Sequence, residues 1–136
     1  MKWMLDTDVC ITLIRQQSAD LWHRLQAQQV GEIGVSVLTA AELFFGVEKS
    51  AQPARNRAAL EQFLMPLQLA AFDLAAGTRY GAVRADLERR GQPIGAMDTL
   101  IAAHALSLGA TVVTHNRRDF GRVSGLRVED WTEPAD

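Results

Sequence analysis

Short apolar, β-branched segments alternate along the whole chain with segments whose apolar residues follow a helical spacing. This alternation constrains the fold most strongly, because strands that are separated by helices pair in parallel rather than as hairpins. A parallel sheet is covered on both faces by its connecting helices. The sequence therefore predicts an α/β fold, an α/β/α sandwich around a central, mainly parallel sheet of four to five strands.

The boundaries of the predicted elements follow from apolar patterns and from flanking glycine and proline residues. Strands are predicted over residues 2–5, 32–37, 67–72, 110–115 and 126–131. Helices are predicted over residues 6–16, 18–29, 39–49, 53–67, 73–90 and 98–108. With 136 residues, of which 48% are hydrophobic, the chain can bury one substantial core, so we expect a single domain over 1–136.

Composition excludes several classes of protein. No apolar run approaches the roughly 20 residues of a membrane span, and the apolar start over residues 1–5 is too short for a secretory signal. Cys10 is the single cysteine, and with three scattered histidines it forms neither a disulfide framework nor a zinc motif. We therefore expect a cytoplasmic protein that makes no membrane contact.

The charge pattern limits how the chain can meet nucleic acid. A net charge of -2 argues against a broad surface that coats nucleic acid nonspecifically. All basic residues except Lys2 and Lys49 are arginines, which suit bidentate phosphate contacts and base stacking. A local basic site is compatible with this pattern, and so is a genome that simply favours arginine codons.

Four acidic residues, each from a different part of the chain, lie near the edges of predicted elements. Two follow the first and second strands, one begins a helix and one follows the fourth strand: Asp6, Glu42, Asp98 and Asp119. The carboxyl ends of parallel strands share one edge of the sheet, where the reactive crevice of such folds lies. Converging carboxylates repel one another, and a hard divalent cation such as Mg2+ or Mn2+ relieves that repulsion.

Each acid also has a purely structural alternative. Asp6 and Asp98 could stabilise helix N-termini, Glu42 could form a capping box with Thr39, and Asp119 could pair with a neighbouring arginine. The apolar surroundings favour a site for two of the acids. Glu42 and Asp98 both belong to strongly apolar helices, where an uncompensated carboxylate is costly.

Four motifs taken together resemble the PIN-domain ribonucleases. They are M-L-D-T with Asp6, S-V-L-T-A-A-E-L-F-F-G with Glu42, G-A-M-D-T-L-I-A-A-H-A-L with Asp98, and T-H-N-R-R-D-F with Asp119. Within that family the chain is similar to the VapC toxins of toxin–antitoxin modules, and most similar to the enteric-type group, whose members cut transfer RNA. The resemblance covers nearly the whole length, and four motifs in order are far more specific than one.

The resemblance implies a PIN-like sandwich and a toxin that inhibits translation by Mg2+-dependent endonucleolytic hydrolysis of RNA. Transfer RNA, cut in its anticodon region, is the expected substrate, and Mn2+ is the alternative ion. By the same resemblance Asp6 and Asp98 are metal ligands, while Glu42 and Asp119 complete the catalytic cluster. The residues expected to hold the carboxylates or to bind the substrate are Thr7, Thr114, Asn116, Arg117 and Arg118.

Two residues depart from the family pattern. Asp8 and His115 stand where family members often carry asparagine. Asp8 could strengthen metal binding, and His115 could donate a proton or contact RNA. We expect both residues to be peripheral to the chemistry.

The resemblance also implies protein partners. A VapB-type antitoxin is expected to inhibit the toxin by laying its C-terminal tail in a groove near the acids. The early helices and the L-F-F-G-V segment after Glu42 carry more apolar residues than one buried stripe requires. The surplus is expected to line that groove or a homodimer interface. The chain has no DNA-reading segment, so DNA contact is expected only through the antitoxin in a toxin–antitoxin hetero-oligomer.

Two other functions are compatible with parts of the sequence. The D-x-D formed by Asp6 and Asp8 resembles the nucleophile motif of haloacid dehalogenase-type phosphatases, but neither Lys2 nor Lys49 is well placed as the catalytic lysine of that class. A non-catalytic module that only binds partners is the second alternative. The presence of all four acids argues against it.

Overall fold

The computed structural model describes residues 1–132, so the last part of the predicted domain, residues 133–136, lies outside the described residues. Within that range five strands form one sheet, and every neighbouring pair is parallel. The strand order is β3-β2-β1-β4-β5, with the first strand at the centre. The strands are β1 (Trp3–Leu5), β2 (Ile33–Ser36), β3 (Gln68–Ala70), β4 (Thr111–Val113) and β5 (Val128–Glu129).

Seven helices occur in the described part of the chain and cover both faces of the sheet. They are α1 (Thr7–Ile14), α2 (Ala19–Gln26), α3 (Val37–Lys49), α4 (Pro53–Leu64), α5 (Leu74–Arg89), α6 (Ala96–Leu108) and α7 (Arg117–Phe120). The predicted α/β/α sandwich with a parallel sheet is therefore confirmed.

The sheet divides the core into two apolar layers. Successive side chains of a strand point to opposite faces, and the two central strands follow that rule. Leu5 and Val113 pack on the side of α1 to α4, whereas Met4 and Val112 pack on the side of α5 and α6. Helix α6 is a deeply buried covering element, with residues 101–105 buried, as the apolar run after Asp98 predicts.

Three local predictions need correction. Helix α3 begins at Val37 rather than Thr39, because the Ser36 hydroxyl accepts a hydrogen bond from the Leu38 amide at 3.1 Å and caps the helix. The capping box between Thr39 and Glu42 is therefore wrong. Helix α6 begins two residues before Asp98, which places that acid in the first turn. The four-residue helix α7 was not predicted, since it is too short to show a helical pattern.

Several predicted elements are shorter than expected at their ends. Helix α4 ends at Leu64 rather than residue 67, and β5 spans two residues rather than six. Among residues 1–132, the helices are all too short or too polar to cross a bilayer.

Gly34→Ala should destabilise the fold, because β2 and β3 approach closely at this position. A Cβ at residue 34 would overlap the Gln68 carbonyl oxygen and the Met1 methyl group, and would lie 2.9 Å from the Gln68 Cβ. We expect a loss of about 1–3 kcal/mol in the free energy of unfolding, measured by urea denaturation. The control is Gly46→Ala in α3, where no atom lies within 4 Å of the added Cβ and a gain of up to about 1 kcal/mol is expected. Equal stability of the two variants would contradict the close approach.

Candidate active site

Asp6 follows β1 directly and is almost completely buried, with 5% of its surface exposed. Its Oδ1 accepts a hydrogen bond from the Val9 amide at 2.9 Å, so the residue caps α1. Its Oδ2 accepts a short hydrogen bond from the Thr114 hydroxyl at the end of β4. Burial raises the pKa of Asp6 to about 6, although these two hydrogen bonds oppose the rise. The helix-capping role is therefore real, but burial still disfavours the ionised form of this carboxylate at the centre of the sheet edge.

Glu42 reaches the same edge from α3. Its Oε1 accepts a hydrogen bond from the Thr7 hydroxyl at 2.6 Å. Thr7 is the residue after Asp6, so this contact ties the second motif to the end of the central strand. The side chain is half-buried.

Asp98 is half-buried in the first turn of α6. Its carboxylate lies back over the start of the helix, since a Cβ at Gly95 would be 3.9 Å from Oδ2. The pKa of Asp98 is raised, first by burial and then by the charges of Asp119, Asp8 and Glu42. Carboxylates from α1, α3 and α7 are thus near enough to Asp98 to repel its charge.

Asp119 is held within α7 by the residue that caps this helix. The Asn116 amide group donates to its Oδ2 at 3.0 Å, and the Asp119 backbone amide donates to the Asn116 side-chain oxygen at 3.2 Å. The Asn116 backbone amide donates in turn to the Thr114 hydroxyl at 2.9 Å. A continuous chain of hydrogen bonds therefore connects Asp119 to Asp6 through Asn116 and Thr114.

The structure places each predicted supporting threonine and asparagine against one of the four acids. The two predicted arginines, Arg117 and Arg118, are exposed on α7. Arg122, one helical turn further on, lies 3.8 Å from the Asp119 carboxylate. Sequence reasoning missed Arg122, although its spacing of three residues from Asp119 was a usable signal.

The two departures from the family pattern lie at the rim of the acidic cluster. Asp8 is exposed in the first turn of α1, yet its charge contributes to the raised pKa of both Asp6 and Asp98. The His115 ring lies between α1 and the residues after β5, with Nε2 3.1 Å from the Thr12 hydroxyl and Nδ1 3.6 Å from Asp130. The expectation that both residues are peripheral to the chemistry stays a prediction.

The donor set of the cluster consists of carboxylate oxygens and suits a hard divalent cation. In residues 1–132 no three acidic, histidine or cysteine side chains are positioned to hold one ion together. Mg2+ commonly keeps several waters and takes only one or two protein carboxylates. Burial raises the pKa of Asp6 and of Asp98, and neighbouring carboxylates add to the rise, so a nearby cation would favour their ionised forms.

Comparisons with known proteins agree with this geometry. Residues 3–126 match the family model of the PIN domain. The chain is 44% identical over 132 residues to the tRNA(fMet)-specific endonuclease VapC of Shigella flexneri, covering 97% of this chain and 99% of that relative.

Solved structures give the same picture. A chain in the DNA-bound VapBC complex of Salmonella typhimurium is 40% identical, with a TM-score of 0.92 over 96% of this chain and 98% of that one. A chain of VapBC-1 from nontypeable Haemophilus influenzae is 32% identical, with a TM-score of 0.89 over 98% and 100% of the two chains.

Asp6→Asn should stabilise the metal-free protein at neutral pH. The pKa of Asp6 is about 6 in the folded chain, above its ordinary value of 3.8, so the ionised carboxylate disfavours folding above pH 6 and this penalty fades as the pH falls toward 4. The amide still accepts from the Val9 amide. We expect a gain of at most about 3 kcal/mol at pH 7.5 and almost none at pH 4, from thermal unfolding in EDTA.

The control for this prediction is Asp8→Asn, because Asp8 is exposed in the same helix turn. Its effect on stability should be small at both pH values. A lower stability of Asp6→Asn at pH 7.5 would show that the ionised carboxylate supports the fold instead.

Proposed function

Because the chain belongs to the PIN-domain family and, within it, to the VapC ribonucleases, we propose that it is a toxin that hydrolyses RNA endonucleolytically in a metal-dependent reaction. The meeting of Asp6, Glu42, Asp98 and Asp119 at the carboxyl edge of the parallel sheet supports this proposal best. We also propose that residues 1–136 form a single PIN domain.

Asp6 and Asp98 are the proposed metal ligands, with Mg2+ as the preferred ion and Mn2+ as the alternative. A bound ion of this kind lowers the pKa of a coordinated water and stabilises charge on the leaving oxygen. Thr114 and the Val9 amide fix the orientation of the Asp6 carboxylate. Direct hydrolysis of this class leaves a 5'-phosphate and a 3'-hydroxyl.

Glu42 and Asp119 complete the proposed site without need of direct metal contact. The Thr7 hydroxyl engages Oε1 of Glu42, which leaves Oε2 to accept the proton of the attacking water. Asn116 and Arg122 hold the Asp119 carboxylate in place. Arg117 and Arg118, exposed beside that acid, are the proposed contacts to RNA phosphates.

The proposed substrate is the initiator transfer RNA, tRNA(fMet), cut in its anticodon region. The names of relatives that are 40% and 44% identical over nearly the whole chain support this choice. Loss of initiator transfer RNA would inhibit translation, and a cytoplasmic location is part of the proposal because that substrate acts there.

A VapB-type antitoxin is the proposed inhibitor. A groove with a cavity volume of about 270 Å3 lies between α1, α3 and α4, with Glu42 and Arg15 among its lining residues. Apolar side chains predicted to be in surplus line it, namely Ile11, Ile14, Leu43 and Val47. Its position beside Glu42 suits a peptide tail that blocks the acids. DNA contact through the antitoxin is proposed from the DNA-bound VapBC relative, and the homodimer stays a prediction.

The phosphatase alternative is not supported. The Lys2 ammonium lies 5.3 Å from the centre of the Trp3 ring, and that of Lys49 lies 5.1 Å from the centre of the Phe45 ring. Neither is placed as the catalytic lysine beside Asp6 that such a phosphatase needs. The family relationship also makes the non-catalytic module unnecessary as an explanation.

Asp98→Asn should reduce cleavage of tRNA(fMet) by at least about 100-fold, since it removes a proposed metal ligand. The measurement is in vitro cleavage with Mg2+ and with EDTA, together with sequencing of 5'-phosphate RNA ends after brief expression. The matched control is Asp20→Asn, because Asp20 is likewise an acid in the first turn of a helix but belongs to α2. Wild-type protein that enriches no RNA end would refute the ribonuclease proposal.

Ala59→Trp should weaken antitoxin binding at least about 10-fold, because Ala59 lines the groove and the indole would fill it. Ala58→Trp is the control, since Ala58 is also exposed on α4 but does not line the groove. Binding is measured by titrating each toxin variant with a cognate VapB tail peptide. Equal affinities of the two variants would place the tail elsewhere.

A further inference from the structure

A second pocket lies between α5 and the start of α6. Its cavity volume is about 210 Å3, and its walls come from α5 and from the loop and first turn of α6. The residues that define it are Tyr80, Arg84 and Glu88 on one side and Ile94, Ala96 and Thr99 on the other. The four proposed catalytic acids are not among its lining residues.

The α5 wall is a ladder of three side chains spaced four residues apart on one helix face. Nη1 of Arg84 donates to the Tyr80 hydroxyl oxygen at 3.0 Å, and Nε of Arg84 donates to Glu88 at 3.0 Å. These bonds engage two of the three guanidinium nitrogens and hold the group in a defined orientation. An aromatic ring and an oriented guanidinium thus stand side by side at a pocket mouth.

The size and chemistry of the pocket suit one flat heterocycle. Sites for drug-sized ligands usually measure roughly 300–1,000 Å3, so a cavity of about 210 Å3 is small for a dinucleotide. Buried Leu87 and half-buried Ile94 provide apolar contact. Unstacked RNA bases are bound on aromatic rings and arginine planes, with hydrogen bonds to their edges. Arg84 and Glu88 offer a donor and an acceptor for such an edge.

The pocket also lies close to the proposed reaction centre. Ala96 belongs to its lining and Asp98 to the same helical turn. The Asp98 carboxylate lies over Gly95, the residue that precedes Ala96. The start of α6, a helix about 10 Å wide, therefore carries both Asp98 and two residues of the pocket lining, Ala96 and Thr99. An RNA strand that crosses this end of the helix can contact both the pocket and the acidic cluster.

We propose that the pocket between α5 and α6 receives a single unstacked base of the RNA substrate, beside the phosphodiester that is cut. This inference rests on the proposed ribonuclease function. It makes Tyr80 and Arg84 specificity-determining residues and leaves the hydrolysis itself to the four acids.

The test compares cleavage of a tRNA(fMet) anticodon stem-loop by pocket variants. Tyr80→Ala should lower kcat/KM by about 10- to 100-fold through loss of base stacking, and Arg84→Ala should lower it less. Tyr80→Phe keeps the ring and should stay within about 3-fold of wild type. Arg89→Ala is the control, because Arg89 is exposed on the same helix but does not line the pocket. Thermal unfolding verifies that each variant is folded.

A binding measurement in EDTA supplies a readout that does not need cleavage. The stem-loop carries 2-aminopurine at each loop position in turn, and wild-type protein should change the fluorescence strongly at one position. Tyr80→Ala should abolish that change and Tyr80→Phe should retain it. If wild type cleaves the stem-loop and Tyr80→Ala cleaves it equally well, the base pocket is refuted while the ribonuclease stands. If wild type cleaves no RNA, the ribonuclease proposal fails and the base pocket fails with it.

Discussion

The burial of the Asp6 carboxylate is the constraint on which the rest of the active edge depends. Asp6 follows the central strand β1 directly, and only 5% of its surface is exposed. An uncompensated charge is costly at such a buried position. Two donors keep the carboxylate in place, the Val9 amide of α1 and the Thr114 hydroxyl of β4. Because Thr114 also accepts from Asn116, which caps the helix of Asp119, the same contact fixes the position of a second acid.

The acids are therefore arranged at the expense of stability. Burial dominates the raised pKa of Asp6 and of Asp98, and neighbouring carboxylates add to it. Perturbed pKa values that cluster at one edge are typical of functional sites, and natural enzymes often accept local instability there. A cation or a positively charged partner group that enters the cluster lowers this electrostatic cost. The proposed metal ion and the proposed antitoxin would therefore both relieve the same unfavourable charge.

The sequence predicted the helices and strands that depend on a local pattern. It did not predict the helix boundaries that depend on contacts between residues far apart in the chain. The alternation of apolar runs was sufficient for the parallel sandwich, and the position of each acid after a strand or at a helix start was sufficient for the candidate cluster. The choice between Ser36 and Thr39 as the cap of α3 was not visible, since both residue types cap helices. Ser36 is also contacted by the buried His104 ring at 2.8 Å, across 68 residues.

The hydrogen-bond partners of the acids also could not be predicted from the local sequence pattern. Glu42 pairs with Thr7 across 35 residues, whereas the sequence suggested a partner three residues away. Asp119 lies in a helix of four residues, whose cap depends on Asn116 rather than on any apolar period. The resemblance to a known family supplied what the local pattern did not, because it marked Thr7 and Asn116 as residues that hold the carboxylates or bind the substrate, although it did not say which acid each one contacts.

The net charge of -2 limits the ways in which such a protein can recognise RNA. Binding that depends on many phosphate contacts gains its affinity from counterion release and needs a large basic surface. Here the site itself is acidic, and the arginines of α7 and α5 are local. Selectivity must then come from the shape of a folded RNA and from bases that leave the stack. The proposed cation in the acidic centre and the proposed base in the small pocket would together allow recognition without a broad basic surface.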